Sequence, residues 1–417
     1  MLSSLRLLRA SPRSRLFFAA HAQSSLGTGA GYAALVAITY ERGASPWAIA
    51  LVLLADFLPA MVLGAVLGTL ADRWPRGRCV ALAGGLQAAA FLLLPAVEGL
   101  GATLALALLA GLGAGLFGPA ALAGLPGVVG RERLPAGTAL YGALSDLGHV
   151  AGPALAAPVL LLAGPEALLL LNGLSFAIGA LVMPHAMAHG PGASLAGRAP
   201  RGSLRAETLD GLRAARSAPG VAPVIVTSGA VVLFAGTVNV GELLLATHEL
   251  GAGTAGFALL VAASGLGMAA GSLAGSGGGA PPVLRKRLLG GILLTGLGVL
   301  ACGLAPSLPV ALLTFAVAGA GNGLVLVHER LLLQEAGGET LSGRLFGLRD
   351  TVTAWALCGA FLGGGALAAL VGPRGLFLLA GAGCLVVWAA AGRALGGGAG
   401  LAVDERPLAP RMRQRAI

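Results

Sequence analysis

The sequence predicts an all-helical membrane protein: twelve transmembrane helices in two pseudo-symmetric six-helix bundles. Three observations lead there: the composition, a repeat of the first half in the second, and a one-sided placement of positive charge. Of the 417 residues, 56% are hydrophobic and only 11% are charged, against roughly 25% charged in soluble domains. So deep a deficit means that the solvent is lipid. One span needs about 20 apolar residues, so the length accommodates a dozen helices and leaves little for a soluble domain. The 69 glycines suit helices that approach closely in a bilayer.

Hydropathy places the first six spans near 16–40, 47–70, 79–97, 102–125, 138–163 and 166–183, with a tight Gly164-Pro165-Glu166 turn between the fifth and sixth. Arg6, Arg9, Arg13 and Arg15 precede the first run, and Ala20-His21-Ala22 mimics a signal cleavage site. The apolar stretch before it is too short for a signal core, so an uncleaved first span is expected. From 185 to 219 the chain turns polar, with five arginines and a short amphipathic stretch at 204–216. Six further spans follow near 221–247, 255–274, 288–304, 308–333, 345–371 and 375–395. The expected domains are therefore an N-terminal bundle (1–184), a cytoplasmic linker (185–219), a C-terminal bundle (220–395) and a cytoplasmic tail (396–417).

The halves match in detail. Gly64-x-x-x-Gly68-x-Leu-Ala-Asp72 is echoed by Gly267-x-x-x-Gly271-x-Leu-Ala-Gly275, Tyr141-Gly142 by Phe346-Gly347, and Gly164-Pro165 by Gly372-Pro373. Parallel repeats of six spans are a transporter architecture. Gly275 stands where Asp72 does, so the second copy lacks the acid. With both termini on the inner side, 25 of the 27 Lys and Arg residues fall inside, and only Arg42 and Arg374 outside. That is the positive-inside bias of a multi-pass protein in the cell (plasma or inner) membrane. It also removes nucleic acid as a partner, because the net charge of +10 is spread over seven segments facing one way.

The motif with most chemical content is Gly68-Thr69-Leu70-Ala71-Asp72-Arg73-Trp74-Pro75-Arg76-Gly77-Arg78. Gly64 and Gly68 share a helix face and would let a neighbouring helix approach. Asp72 sits at its own helix's C-terminus, where the macrodipole disfavours a negative charge. It is suited to an outside partner, a cation or another helix N-terminus. The segment resembles the loop 2–3 signature of the major facilitator superfamily, G-x-x-x-D-R-x-G-R-R, with Gly68, Asp72, Arg73, Arg76 and Arg78 matching and Pro75 replacing a glycine. A second segment, Gly148-His149-Val150-Ala151-Gly152-Pro153-Ala154-Leu155-Ala156-Ala157, resembles that superfamily's antiporter motif. Gly148, Gly152 and Pro153 match; Ala156 and Ala157 replace its final glycines. Ala55-Asp56-Phe57-Leu58-Pro59, Gly118-Pro119-Ala120 and Gly343-Arg344-Leu345-Phe346-Gly347 are similar to patterns of its drug and siderophore exporter branch, which includes macrolide-efflux and enterobactin exporters. The resemblance implies the major facilitator fold, an inner-face latch at Asp72 and efflux by alternating access. One departure stands out: Ala107 occupies the place of an arginine that proton-coupled drug exporters usually carry in span four.

Ionisable groups inside spans usually face a cavity. Asp56 lies about 14 Å down span two at 1.5 Å per residue, near the midplane, where it suits a group that takes and releases a proton. Asp146 and His149 share a face of span five and form a candidate proton relay. Asn239 and Glu242 share a face of span seven and are candidates for the cavity or for a cationic substrate. For each of these the alternative is a structural helix–helix hydrogen bond. Glu329, with His328 and Arg330, reads as an interfacial network. Tyr32, Phe117, Asn322 and Trp355 are candidate pocket residues. Cys79, Cys302, Cys358 and Cys384 lack metal-type spacing and read as packing thiols. No phosphate-binding G-x-x-x-x-G-K-[ST] occurs, and no hydrolytic triad stands out. A transporter needing no cofactor is expected, moving a small lipophilic or amphipathic molecule outward against protons as a monomer. The rival readings are uptake or lipid flipping by the same machinery, and a transport-inactive sensor.

Overall fold

The computed structural model describes residues 11–43, 45–187 and 220–396. Arg6 and Arg9, the linker with its amphipathic stretch, and the tail with Arg406, Arg411, Arg413 and Arg415 lie outside the described residues. Apart from short turns, the described residues are helical. The first half comprises α1 (Pro12–Gly43), α2 (Pro46–Arg73), α3 (Arg76–Leu93, then a 3-10 turn) and α4 (Leu100–Val129). A further helical run, Leu134–Met187, is broken at Gly164 into α5 (134–163) and α6 (165–187). The second half comprises α7 (Val221–Ala235), α8 (Val238–Leu244, then a π-helical turn), α9 (Gly253–Ala274) and α10 (Pro281–Leu304). The last run, Leu308–Gly396, turns at Gly372 into α11 (308–371) and α12 (373–396).

Both chain reversals fall on the Gly-Pro pairs that the repeat aligns. Gly164 and Gly372 have φ of 77° and 72°, a left-handed conformation that only glycine adopts without strain, and the following proline fits the first turn of the next helix. Among the described residues, nine segments are long and apolar enough to cross a membrane. Two of them, Arg131–Met187 and Leu345–Leu395, run 57 and 51 residues, each enough for two crossings, and contain these two corners. Helix α1 falls outside the nine; it carries His21, Gln23, Ser24, Ser25 and Thr28, of which His21, Ser24 and Ser25 are buried against other helices.

Two elements differ from the sequence reading. Span seven is not continuous: it breaks at Gly236-Thr237 between α7 and α8. Conversely, the residues at 334–344, expected as an inner loop, are helical, although the chain still reverses between Glu329 and Arg349, whose side chains meet at 3.1 Å.

With little hydrophobic drive between helices in lipid, close approach of small residues holds them together. A Cβ on Gly152 would lie 2.6 Å from the Leu26 carbonyl oxygen and 2.8 Å from Gly29 Cα, so α5 rests directly on the α1 backbone. A Cβ on Gly267 or Gly271 would collide with the carbonyls of Ala316 and Ala320, seating α9 on α11. Gly64 does not follow its counterpart Gly267. Nothing lies within 4 Å of the position its Cβ would occupy, which corrects the expectation of a close helix contact there.

The apolar core explains why. Toward the end that carries Gly164 and Gly372, one buried cluster runs through both halves, from Leu35, Ile49 and Leu53 to Val240, Phe257 and Phe361. Toward the opposite end, which carries Trp74, the core divides. One cluster belongs to the first half alone (Phe17, Leu67, Leu116, Met183) and another to the second alone (Val224, Ile292, Leu333, Leu345). The two bundles are thus joined at the Gly164 end and parted at the Trp74 end.

Candidate functional site

The junction of the joined and parted regions holds a cavity of about 330 Å³ between the halves. Helices of the first half contribute Tyr32, Asp56, Phe57, Gln87, His149 and Pro153; the second half contributes Asn239, Glu242, Ser264 and Met268. Among the described lining residues the only acidic side chains are Asp56 and Glu242, and none is Arg or Lys.

Asp56 is held at this depth by its helix. Pro59 lacks the N–H that would bond the Ala55 carbonyl, a local defect that bends such helices. A Cβ on Gly111 would clash with the Asp56 carbonyl oxygen and approach Pro59 Cδ to 3.1 Å; its absence lets α4 support α2 there. Among the described residues the Asp56 carboxylate makes no hydrogen bond or ion pair.

Glu242 owes its position to the break in span seven. The backbone there tightens to three-residue bonds, Thr237 N–H to the Phe234 carbonyl at 3.2 Å and Asn239 N–H to the Gly236 carbonyl at 3.3 Å, and side chains reinforce both. The Thr237 hydroxyl donates to the Phe234 carbonyl at 2.7 Å, and Asn239 Nδ2 donates to the Gly236 carbonyl at 2.9 Å. Helix α8 then carries Glu242 into the protein, where the residue is 6% exposed. Its Oε2 has no hydrogen-bond partner among the described residues. Tyr32 Oη of the first half donates to the Asn239 carbonyl at 3.5 Å. Short or unwound helical segments facing a midplane cavity are a recurrent way of presenting polar groups in transporters.

The other sequence candidates divide. His149 lines the cavity, its Nδ1 2.8 Å from the Ser145 carbonyl of its own helix. Asp146 is exposed, lies off the cavity, and forms no ion pair with His149 among the described residues; the structure does not join the expected relay. Gly148 and Gly152 seat α5 on α1, and Pro153 reaches the cavity. Tyr32 and Asn322 line cavities. Phe117 instead lies parallel to the His21 ring with centroids 6.5 Å apart, and Trp355 is 66% exposed, on neither cavity wall. Gly68, Asp72 and Arg73 fall in the last turns of α2, and Arg76 and Arg78 begin α3; the Asp72 side chain lies outside what is described.

Glu329 is engaged, with a partner the sequence reading did not name. Arg349 of α11 grips it with two parallel bonds of 3.1 Å and holds Asp350 at 3.0 Å. Arg330 is exposed. Sequence reasoning also passed over His21, Gln87 and Asn172. His21 is buried, its Nε2 3.1 Å from both the Tyr141 carbonyl and Ser145 Oγ. Each is a polar residue within an apolar run, which was the available signal.

At the joined end the halves meet through named contacts. Tyr40 Oη lies 2.7 Å from His248 Nε2, Phe57 meets Phe361 with ring centroids 5.6 Å apart, and Cys358 Sγ lies 3.7 Å from Met61 Sδ. One turn further toward Trp74 the same two helices present open Gly64 and exposed Trp355. The interface stops there.

A two-bundle helical protein with a central cavity closed at one end has the architecture of a secondary transporter. Residues 17–360 match the family model of the Major Facilitator Superfamily, and the chain belongs to that superfamily: it is a secondary transporter, not an enzyme. Solved structures agree on the fold. The nucleoside transporter NupG superposes with a TM-score of 0.73 at 12% identity, covering 92% of this chain and 99% of that one. A bacterial homologue of the human lysosomal transporter Spinster, inward-facing and unoccupied, gives 0.68 at 14%, covering 93% and 98%. The human organic anion transporter MFSD10 gives 0.59 at 17%, covering 91% and 100%. No curated protein matches the sequence.

Proposed function

We propose that this transporter exports small lipophilic or amphipathic compounds by proton antiport, in the manner of the superfamily's drug and siderophore exporters. It would have twelve spans in two six-helix domains joined by the 185–219 linker, and work as a monomer in the plasma or inner membrane with both termini cytoplasmic. The observation that carries the reading is the mostly apolar cavity between the halves, furnished with two carboxylates and closed at one end only. Alternating access follows from separating the halves at the Gly164 end while bringing them together at the Trp74 end.

Asp56 is the proton carrier in this scheme, because its carboxylate faces the cavity without a partner among the described residues. Asp72, with Gly68, Arg73, Arg76 and Arg78, forms the latch that holds the Trp74 end shut in the other state. Gly148, Gly152 and Pro153 provide the stiff seat on which α5 moves with α1. Placing the Trp74 end in the cytoplasm rests on the sequence's charge count, which assigns 25 of 27 positive residues to the segments expected inside.

The test is efflux of a fluorescent lipophilic dye from loaded cells that overproduce the protein, with and without an uncoupler. Gradient-dependent extrusion is expected. Extrusion that ignores the uncoupler would replace antiport by facilitated diffusion, and no extrusion would remove the exporter reading.

A further inference from the structure

Beside the central cavity lies a second one of about 260 Å³, inside the C-terminal half. The two share the wall formed by Asn239, Glu242 and Ser264. Beyond that wall the second chamber has mixed walls, with Val299, Phe315 and Phe377 on its apolar sides and Thr295 and Asn322 as further polar groups. As in the first, none of the described lining residues is Arg or Lys. Glu242 therefore stands as a partition between two chambers, buried, with one carboxylate oxygen unanswered by any described residue.

We propose that this partition is a recognition site for the amine of a lipophilic organic cation, whose apolar part enters the second chamber. A buried carboxylate left without a partner is strongly unfavourable, so an occupant with N–H donors and positive charge is favoured over a neutral or anionic one. The neighbouring acceptor has the right polarity. Asn239, on the same wall as Glu242, spends one of its two amide N–H groups on the Gly236 carbonyl and keeps its side-chain oxygen as an acceptor. Phe315 and Phe377 offer π faces and apolar area to the remainder of the ligand. A carboxylate that only cycled protons would not need a ligand-sized chamber behind it. The inference rests on the transport reading and adds the class of substrate and the residue that selects it.

The test uses three probes that share one apolar tail: 4-phenylbutylamine, 4-phenylbutanol and 4-phenylbutyrate, each radiolabelled and measured by equilibrium dialysis against the full-length protein in nanodiscs. The amine is expected to bind at least ~10-fold more tightly than the alcohol, equivalent to about 1.4 kcal/mol, with the acid weaker still. Glu242→Gln should bring the amine down to the alcohol's affinity while the alcohol's own binding persists, which also reports an intact fold. Glu242→Asp should retain the preference. Cys302→Phe, which fills the second chamber, should weaken amine and alcohol together. Equal binding of amine and alcohol by the unmodified protein, or a preference that survives Glu242→Gln, would overturn the assignment. If the alcohol binds as tightly as the amine while dye efflux from loaded cells persists, lipophile export stands and the cation assignment falls; if no probe binds and no dye is extruded, both fall.

Discussion

Adding one methyl group at Gly365 should unlock the joined end. This residue lies on α11 where it meets α2: an added Cβ would stand 2.9 Å from Ala50 Cβ and 3.2 Å from Trp47 Cε3. Apolar carbons prefer about 3.5–4.0 Å, so the helices must separate by several tenths of an ångström or more. Ala50 Cβ is fixed to its backbone and cannot rotate away. Such overpacking typically costs about 1–3 kcal/mol. The clash exists only while the Gly164 end is joined, so the whole penalty falls on that state. Its population relative to the alternative should drop about 5- to 150-fold. Spin labels at Glu98 and Ser307, both exposed, sit in turns at that end, one in each half. In Gly365→Ala their distance distribution should gain or enlarge a long component, with the protein still monodisperse. An unchanged distribution would refute the idea that this packing holds the end closed.

Other outcomes follow from the same geometry. Asp72→Asn should sharply reduce dye efflux while leaving membrane insertion and yield intact, since the latch acts on the state opposite to the one described; normal efflux would remove the latch. Gly152→Val should severely lower yield and thermal stability, because its side chain meets the Leu26 carbonyl and Gly29 backbone, whereas Gly142→Ala, with nothing within 4 Å, should leave both unchanged. Arg349→Met should destabilise the protein by about 3–5 kcal/mol by stranding the buried Glu329 carboxylate, and adding Glu329→Gln should recover much of that. Thermal unfolding of the single and double variants in detergent reads the pair directly.

The overall plan was legible because lipid enforces it. Twenty-residue apolar runs, Gly-Pro corners at matching places in the two halves and one-sided arginines are each imposed by the bilayer or the backbone. The site was legible only in part. Asp56 and Glu242 stood out as acids in apolar runs, and both line the cavity. The break in span seven was not visible, because Gly236-Thr237 resembles many helical dipeptides and the tightened turn keeps its carbonyls bonded through N–H groups and side chains three residues on. Arg349 as the partner of Glu329 was missed because the pairing joins spans ten and eleven across twenty positions, too far apart for helical spacing to suggest it. Gly64 was misread because its helix pattern specifies a contact face, while the parting of the halves at the Trp74 end decides whether that face is occupied. A pattern that promises a contact says nothing about the state in which it forms. Asp146 and His149 share a helix face, yet only His149 meets the cavity, since helical spacing fixes proximity and not the direction of a neighbouring hollow.

The central claim is that two rigid halves rock about the shared cavity so that one end opens as the other closes. Distances measured in the same proteoliposome preparation at both ends test it most directly. One label pair, Glu98–Ser307, reports the Gly164 end; the other, Arg131–Ser276, reports the Trp74 end, and all four positions are exposed. On addition of a transported dye, the account predicts that one distance lengthens while the other shortens. Distances that lengthen together, or a shift at one end with none at the other, would contradict it.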